Sequence, residues 1–272
     1  MHPSVWRLIQ STPAGGAWNM AVDEAILLEI GAGRSLPTLR LYSWEPACLS
    51  FGYAQKVKDV DLDALSKKGW TLVRRPTGGR AILHADELTY SVIASSDEPR
   101  VVGSVLESYR RLSKALLRSL ELIGLNAQAD PRAESSLNGS GPVCFEVPSN
   151  YEITVGGKKL IGSAQARRGE GVLQHGSLPL FGDLTRITGV LHYEDERSRS
   201  LVSSRLLEHA TTIETILNKK ITIDQVAAAF EMGFQDALGI KFIHGNLSPG
   251  EFCLAEELVQ NKYASNIWTE RI

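Results

Sequence analysis

Residues 73–84 read Val-Arg-Arg-Pro-Thr-Gly-Gly-Arg-Ala-Ile-Leu-His, with two adjacent glycines among three arginines inside an otherwise apolar run. Glycine lets a backbone approach a ligand closely and adopts positive φ values. We therefore interpret Gly78 and Gly79 as a backbone cradle for a small ligand, with Arg74, Arg75 and Arg80 supplying positive charge around it. The spacing fits neither the Walker loop nor the GxGxxG fingerprint. A tight turn with solvated arginines is the alternative that the pattern alone leaves open.

Two reactive side chains follow this loop in the sequence. Cys144 comes after a stretch rich in Gly, Ser and Pro (130–142), and Lys159 lies in the strand-like run KKLIGS (158–163). A thiol becomes a good nucleophile when a nearby cation lowers its pKa. Because Lys158 and Lys159 are adjacent, a strand would turn them to opposite faces. The combination favours acyl chemistry, although most lone cysteines are small buried hydrophobes and a lysine pair is commonly an exposed turn.

The composition argues against several classes of protein. A formal net charge of -2 gives no reason to expect a nucleic-acid partner, and no run approaches the roughly 20 apolar residues of a membrane span. Three scattered cysteines are too few for a disulfide framework, and no histidine, cysteine and carboxylate cluster has zinc spacing. The first residues lack the basic-then-apolar pattern of a signal peptide. We therefore expect a cytoplasmic protein without a metal ion.

Helices and strands follow one another without a regular βαβ rhythm, which predicts a mixed sheet with flanking helices, an α/β fold of the α+β type. A helix capped by Asn19 and ending near Gly31 comes first. Strands are predicted at 38–44, 71–74, 88–94 and 172–178, with a hairpin of 151–155 and 159–164. Further helices are predicted over 102–123, from a capping box at Thr222 to Gly239, and from a capping box at Ser248.

Taken together, four segments resemble the biotin/lipoate protein ligase and octanoyltransferase superfamily. They are NMAVDE (19–24), RRPTGGR (74–80), LH (83–84) and KLIGSA (159–164), in that family's order. The resemblance extends over nearly the whole chain. It implies the catalytic-domain fold of the biotin and lipoate ligases, as a single domain over 1–272 whose part from about 205 is mainly helical.

Within the superfamily the sequence is most similar to the cysteine octanoyltransferases. Arg80 stands where the ATP-dependent ligases usually have a third glycine, CFEVPS (144–149) resembles the transferases' active-site segment, and the chain is too short for the extra C-terminal domain that ligases commonly carry. The resemblance implies transfer of an octanoyl group from octanoyl-acyl carrier protein to a lysine of a lipoyl domain, mainly the glycine-cleavage H protein. It implies a thioester on the cysteine and no cofactor.

The same resemblance assigns roles to individual residues. Cys144 would be the nucleophile, and Lys159 would lower the pKa of its thiol and help to hold the oxyanion. Gly78 and Gly79 would line the acyl tunnel, and the substrate-binding set is completed by Arg75 and His84. The role of a second histidine, His175, stays open.

Three other functions remain possible from the residues alone. An ATP-dependent lipoate or biotin ligase would use Lys159 on an acyl-adenylate phosphate. An amidotransferase would move octanoyl between lipoyl domains with the same thiol chemistry. A non-catalytic module would only bind a carrier or lipoyl domain. We also expect a basic docking face for acidic partner proteins, formed by Arg74, Arg75, Arg110, Arg111, Arg167 and Arg168.

Overall fold

The computed structural model describes residues 4–130 and 152–271, and an eight-stranded mixed sheet runs through its centre. The strands are β1 (Ser4–Gln10), β2 (Thr38–Tyr42), β6 (Glu87–Ser95), β7 (Gln128–Asp130), β8 (Glu152–Val155), β9 (Lys158–Arg168), β10 (Gly171–Pro179) and β11 (Ile240–His244). Their order across the sheet is β11-β1-β2-β6-β10-β9-β8-β7. β1 pairs in parallel with β11 and β2, and the pairs from β2 to β7 are antiparallel.

A second, three-stranded sheet lies beside the first. It consists of β3 (Cys48–Phe51), β4 (Thr71–Arg74) and β5 (Ile82–His84), in the order β4-β3-β5. β3 is parallel to β4 and antiparallel to β5. The loop between β4 and β5 carries both glycines of the RRPTGGR segment. The predicted mixed α/β fold is therefore confirmed.

Helices cover both faces of the large sheet. They are α1 (Gly16–Gly31), α2 (Leu62–Lys67), α3 (Val105–Leu122), α4 (Glu196–His209), α5 (Ile213–Leu217), α6 (Ile223–Leu238), α7 (Pro249–Leu258) and α8 (Asn266–Thr269). Because strand side chains alternate between faces, β6 serves two cores. Tyr90 and Val92 pack with α3 and α6, whereas Ile93 packs with α1. A third apolar cluster lies under the small sheet, around Leu49 and Phe51.

The predicted capping boxes are present. The hydroxyls of Thr222 and Ser248 each accept a hydrogen bond from the backbone N–H three residues later. In return, the side chains of Gln225 and Glu251 accept from the backbone N–H groups of Thr222 and Ser248. Gly239 ends α6 in the left-handed conformation, as predicted. These boundaries were readable because capping is a local contact within one helical turn.

The first helix begins four residues earlier than predicted, with Gly15 rather than Asn19 at the N-cap. α1 starts at Gly16, and the buried Asn19 donates from its side chain to the carbonyls of Ala14 and Ser43. Asn19 therefore ties two loops together rather than capping the helix. Gly16 is required by packing, because a Cβ there would lie 2.5 Å from Cys48 Sγ.

The C-terminal part contains α5 to α8 and strand β11. Among the helices within 4–130 and 152–271, none is long and apolar enough to cross a membrane. Cys144 and most of the preceding Gly/Ser/Pro-rich stretch lie outside the described residues.

Candidate functional site

A layer of buried polar side chains lies between the large sheet and the loop that joins β4 to β5. These residues alternate along β6 and β10, so they share the sheet face that also meets α1. They are Glu87, Thr89 and Ser91 on β6, and His175 and Ser177 on β10. Buried polar groups are costly unless they are hydrogen-bonded. Their partners therefore show what this layer holds in place.

The loop itself depends on glycines at two points. Gly79 has φ +93°, a conformation that L side chains rarely adopt. A Cβ on Gly52 would lie 1.7 Å from the carbonyl oxygen of Gly79, so the two backbones touch. Gly78 differs, because a Cβ there would meet no heavy atom within 4 Å. The predicted cradle is thus a fixed turn at Gly79 with open space beside Gly78.

Arg75 holds this turn from the inside. Its side chain is buried, and one terminal nitrogen donates to the carbonyl of Ser50 at 2.8 Å and to the Ser50 hydroxyl at 2.6 Å. The other donates to the carbonyls of Gly78 at 3.1 Å and Arg80 at 2.9 Å. A guanidinium that bridges two carbonyls fixes the path of the backbone between them.

His84 lies behind Arg75, with both ring nitrogens engaged. Its Nε2 is 2.6 Å from the hydroxyl of Ser50, and its Nδ1 is 2.8 Å from the carboxylate of Glu87. The imidazole also stacks on Trp44, with ring centroids 4.0 Å apart. Burial alone would raise the pKa of Glu87, but His84 and the hydroxyls of Ser177 and Thr89 hold it below its ordinary value.

His175 supports the same loop from β10. Its Nε2 is 2.6 Å from the hydroxyl of Thr77, and its Nδ1 is 3.4 Å from Asp23 on α1. Burial lowers the pKa of His175 despite the nearby carboxylate, so the ring is neutral at neutral pH. Asp23 also accepts from Arg40 at 2.7 Å and from the hydroxyl of Ser91 at 2.6 Å. The loop is thus connected to two buried carboxylates through two histidines.

Lys159 lies at a different place, near the start of β9. It is buried and forms an ion pair with Glu152 on the neighbouring strand β8. Lys158 is exposed and donates to the carbonyl of Leu207 at 2.6 Å. The prediction that the two lysines point to opposite faces is confirmed. The Lys159 side chain is thus held in place by the Glu152 carboxylate.

The predicted basic docking face is wrong for two of its six arginines. Arg75 is buried in the loop, as described above, and Arg74 is fully buried. Arg74 donates to the carbonyl of Thr269 at 2.7 Å, to that of Gln55 at 2.6 Å and to that of Gly52 at 3.0 Å. These donors are taken up by backbone carbonyls, of which those of Gly52 and Thr269 belong to buried residues that need an internal donor.

The described cysteines differ in reactivity. Burial raises the pKa of Cys48 to about 12, which leaves it inert. Cys253 is exposed on α7, although its apolar neighbours in the sequence predicted burial. Within residues 4–130 and 152–271, no group of three or more His, Cys, Asp or Glu is arranged to hold a metal ion.

Three buried residues that support this loop were not predicted from the sequence: Ser50, Glu87 and Asp23. One signal was available for Glu87. Glu87, Thr89 and Ser91 place a polar residue at every second position of an otherwise apolar strand, which marks one face that must find polar partners. Ser50 offered no such signal, because its contacts come from residues about 25 to 34 positions away.

Comparisons with known proteins agree with this architecture. A family model described as the lipoyl protein ligase A/B catalytic domain matches residues 16–235. Octanoyltransferase LipM of Kyrpidia tusciae is 42% identical over 98% of both chains, and that of Brevibacillus brevis is 40% identical over 98% of this chain and 99% of its own. Among solved structures, a bipartite lipoate protein ligase of Thermoplasma acidophilum, described with its E2 lipoyl domain, is 28% identical with a TM-score of 0.82, covering 98% of this chain and 96% of that one. The chain therefore belongs to the lipoyl protein ligase A/B catalytic domain family and is an acyltransferase within it.

Proposed function

We propose that this enzyme transfers an octanoyl group from octanoyl-acyl carrier protein to the acceptor lysine of a lipoyl domain, with the glycine-cleavage H protein as the expected acceptor. Its near-full-length similarity to the LipM octanoyltransferases supports octanoyl transfer in protein lipoylation. The observation that supports the mechanism is the burial of the Lys159 ammonium, which forms an ion pair with Glu152. Such a fixed cation suits an enzyme that must stabilise a thiolate and an oxyanion.

The first half-reaction moves the acyl group onto the enzyme. The thiolate of Cys144 attacks the thioester carbonyl, and a tetrahedral oxyanion forms. Lys159 would stabilise both negative charges, first by lowering the pKa of the thiol and then by attracting the oxyanion. The carbon–sulfur bond to the carrier breaks, and the carrier leaves as a thiolate that takes up a proton. One thioester replaces another, so no nucleotide is required.

The second half-reaction forms the amide. The acceptor lysine must first lose a proton, because an ordinary lysine with a pKa near 10.4 is mostly protonated at neutral pH. Its neutral amine attacks the acyl-enzyme carbonyl, the bond to the Cys144 sulfur breaks, and the attacking nitrogen loses a second proton. One proton returns to the departing thiolate or is lost to solvent. Conversion of a thioester into an amide drives the step forward.

The loop at Gly78 and Gly79 is the proposed binding site of the acyl chain. Gly78 faces open space, and the turn is held rigidly by Arg75. Burying about six methylenes at roughly 0.8 kcal/mol each contributes on the order of 5 kcal/mol before ordering costs. That is enough to select octanoyl over acetyl.

Intact-protein mass spectrometry tests the proposal. The enzyme is mixed with octanoyl-acyl carrier protein in the absence of ATP, alongside Cys144→Ala and the matched control Cys253→Ala, which removes an exposed thiol. We expect one octanoyl group on the wild type and on the control, none on Cys144→Ala, and loss of the group when an apo lipoyl domain is added. An adduct on Cys144→Ala that is lost from Cys253→Ala would overturn the assignment of the nucleophile.

The remaining functions give other outcomes in the same assay. Transfer that needs ATP and survives Cys144→Ala would identify an adenylating ligase. An acyl-enzyme that forms from an octanoylated lipoyl domain and not from the carrier protein would identify an amidotransferase. Binding of either partner without any adduct or product would identify a non-catalytic module.

A further inference from the structure

Four buried, hydrogen-bonded side chains join the start of β6 to the loop between β4 and β5, which carries Gly78 and Gly79. We call this series, Glu87, His84, Ser50 and Arg75, the file. Glu87 contacts His84, His84 contacts Ser50, and Ser50 contacts Arg75, at 2.8, 2.6 and 2.6 Å. Arg75 then reaches the carbonyls on both sides of Gly79. All four residues are buried, between 0% and 3% exposed. Three consecutive hydrogen bonds thus connect the Glu87 carboxylate to Arg75, and a fourth reaches the turn.

The chemistry of the four groups fixes the direction of two of the three bonds. A guanidinium only donates, so the Ser50 hydroxyl accepts from Arg75. An ionised carboxylate only accepts, so His84 carries a hydrogen on Nδ1 and donates it to Glu87. The Ser50 hydroxyl can either donate to His84 Nε2 or accept from it with its second lone pair.

The carboxylate at the end of the file is itself locked. Glu87 accepts from the hydroxyls of Thr89, at 2.5 Å, and Ser177 in addition to His84. Three donors on one buried carboxylate favour its ionised form and restrict its rotation. Thr89 is held in turn by Trp44, which donates to its hydroxyl at 2.8 Å and stacks on His84. The far end of the file therefore cannot move independently of β6.

We propose that Glu87, acting through His84 and Ser50, is a positioning residue that sets the shape of the turn at Gly78 and Gly79 for the acyl group. This inference rests on the proposed function for the identity of the ligand. His84 acts on the substrate through Arg75 rather than by contact, since both of its nitrogens are used within the file. Ser50 links His84 to Arg75, because its hydroxyl forms a hydrogen bond with each of them.

Ser50→Ala tests this link. The substitution leaves Arg75 its bond to the Ser50 carbonyl but removes the hydroxyl that contacts both Arg75 and His84. The matched control is Ser119→Ala, which deletes another fully buried hydroxyl, one that donates to the Ala115 carbonyl within α3 at 2.8 Å, on the opposite face of the sheet. Ser50→Ala loses two buried hydrogen bonds and Ser119→Ala loses one, so we expect the larger loss of thermal stability in Ser50→Ala.

Kinetics with octanoyl and hexanoyl carrier proteins then separate positioning from folding. We expect Ser50→Ala to raise KM for the octanoyl donor about tenfold, to change kcat less than about threefold, and to lower the preference for octanoyl over hexanoyl, because a relaxed turn fits the chain poorly. Ser119→Ala should keep the wild-type KM and preference. Equal KM values and equal preferences in the two variants would refute the proposal.

Nitrogen-15 spectra of histidine-labelled wild type give a readout that needs no activity. We expect a hydrogen on His84 Nδ1 at pH 7.5, and a ring protonated only on Nε2 would overturn the bond from His84 to Glu87. If the wild type carries the hydrogen on Nδ1 but transfers no octanoyl group, the proposed function fails while the file stands as a determinant of the loop. If transfer occurs and Nδ1 carries no hydrogen, only the inference about the file fails.

Discussion

Lys159 and Glu152 form a buried ion pair between the paired strands β9 and β8. Their side chains are 4% and 7% exposed, and the register of the hairpin shifts between Ile153 and Thr154, beside the carboxylate. Removing two charges from water is costly, and a buried pair rarely adds net stability over apolar residues of similar size. The presence of this costly pair is explained if the Lys159 ammonium takes part in the reaction.

Charge-neutral replacement of the pair should separate stability from activity. Lys159→Met alone leaves a buried carboxylate and should cost about 3–5 kcal/mol in the free energy of unfolding. The double variant Lys159→Met with Glu152→Leu should recover most of that stability, because two apolar side chains then pack together. Octanoyl transfer should stay abolished in both. Denaturant unfolding and a transfer assay measure the two effects, and an active double variant would remove Lys159 from the mechanism.

Alanine substitutions at three glycines in or near the loop should differ in their effects on stability and on octanoyl transfer. Gly52→Ala places a Cβ on the Gly79 carbonyl, so the loop must shift, at a cost of more than about 2 kcal/mol. Gly79→Ala is strained by its positive φ. Gly78→Ala meets open space and should fold with nearly wild-type stability, yet it should impair octanoyl transfer by narrowing the acyl site. Thermal unfolding and KM for the donor distinguish the three, and a fully active Gly78→Ala would move the acyl chain elsewhere.

Acidification should destabilise the protein through His175. Burial holds its pKa below the ordinary value of 6.5. Between the lowered pKa and 6.5 the unfolded chain binds more protons than the folded one, so stability is full above about 6.5 and falls as the pH decreases. His175→Gln should flatten the slope of unfolding free energy between pH 6.5 and 5. Urea titrations across this range measure it, with the exposed His192→Gln as the control that should keep the slope.

Arg74 should determine whether residues 264–271 stay packed. It donates to the carbonyls of Trp268 and Thr269, and the Trp268 indole donates back to the Arg74 carbonyl at 3.0 Å. Arg74→Ala leaves several buried carbonyls without donors and should cost at least about 3 kcal/mol. Hydrogen exchange should then increase in residues 264–271 and 52–55 together. The exposed Arg197→Ala should leave both segments protected, and exchange that rises in only one of them would contradict a shared anchor.

Thiol alkylation should separate the cysteines by environment. The exposed Cys253 should react with iodoacetamide in the folded protein, whereas Cys48, with a pKa of about 12, should react only after unfolding. In Cys253→Ala, the remaining fast-reacting thiol is expected to be Cys144, and prior octanoylation should block it. Peptide mapping of the labelled sites measures this. Labelling of Cys48 in the native state would mean that the small sheet opens.

Residue patterns within one helical turn predicted several helix ends correctly. Contacts between residues far apart in the sequence could not be predicted in this way. The capping boxes at Thr222 and Ser248 and the stop at Gly239 depend on residues within one turn, which the sequence displays directly. Asn19 was misassigned because its partners, Ala14 and Ser43, come from loops that only the folded chain brings together.

The arginines of the RRPTGGR segment show the same limit at the site. The positive charge next to the glycines led us to predict ligand binding. In the structure, Arg74 and Arg75 instead donate to backbone carbonyls, some of them nearly 200 residues away. A sequence pattern shows which groups are available and not which partner each one finds. The file from Glu87 to Arg75 was invisible for this reason, although its members lie within 38 positions of one another.

The anchor at Arg74 has a consequence for how the enzyme is made. The motif that carries the glycine loop is synthesised early, but one of its anchors is the carbonyl of Thr269, 195 residues further along the chain. While the ribosome is still adding that intervening sequence, the Arg74 side chain, which also holds the 52–55 carbonyls, lacks its acceptors at Trp268 and Thr269. We therefore expect nascent chains to gain a competent acyl site only after residue 269 has emerged, which would keep partly made enzyme from capturing acyl groups.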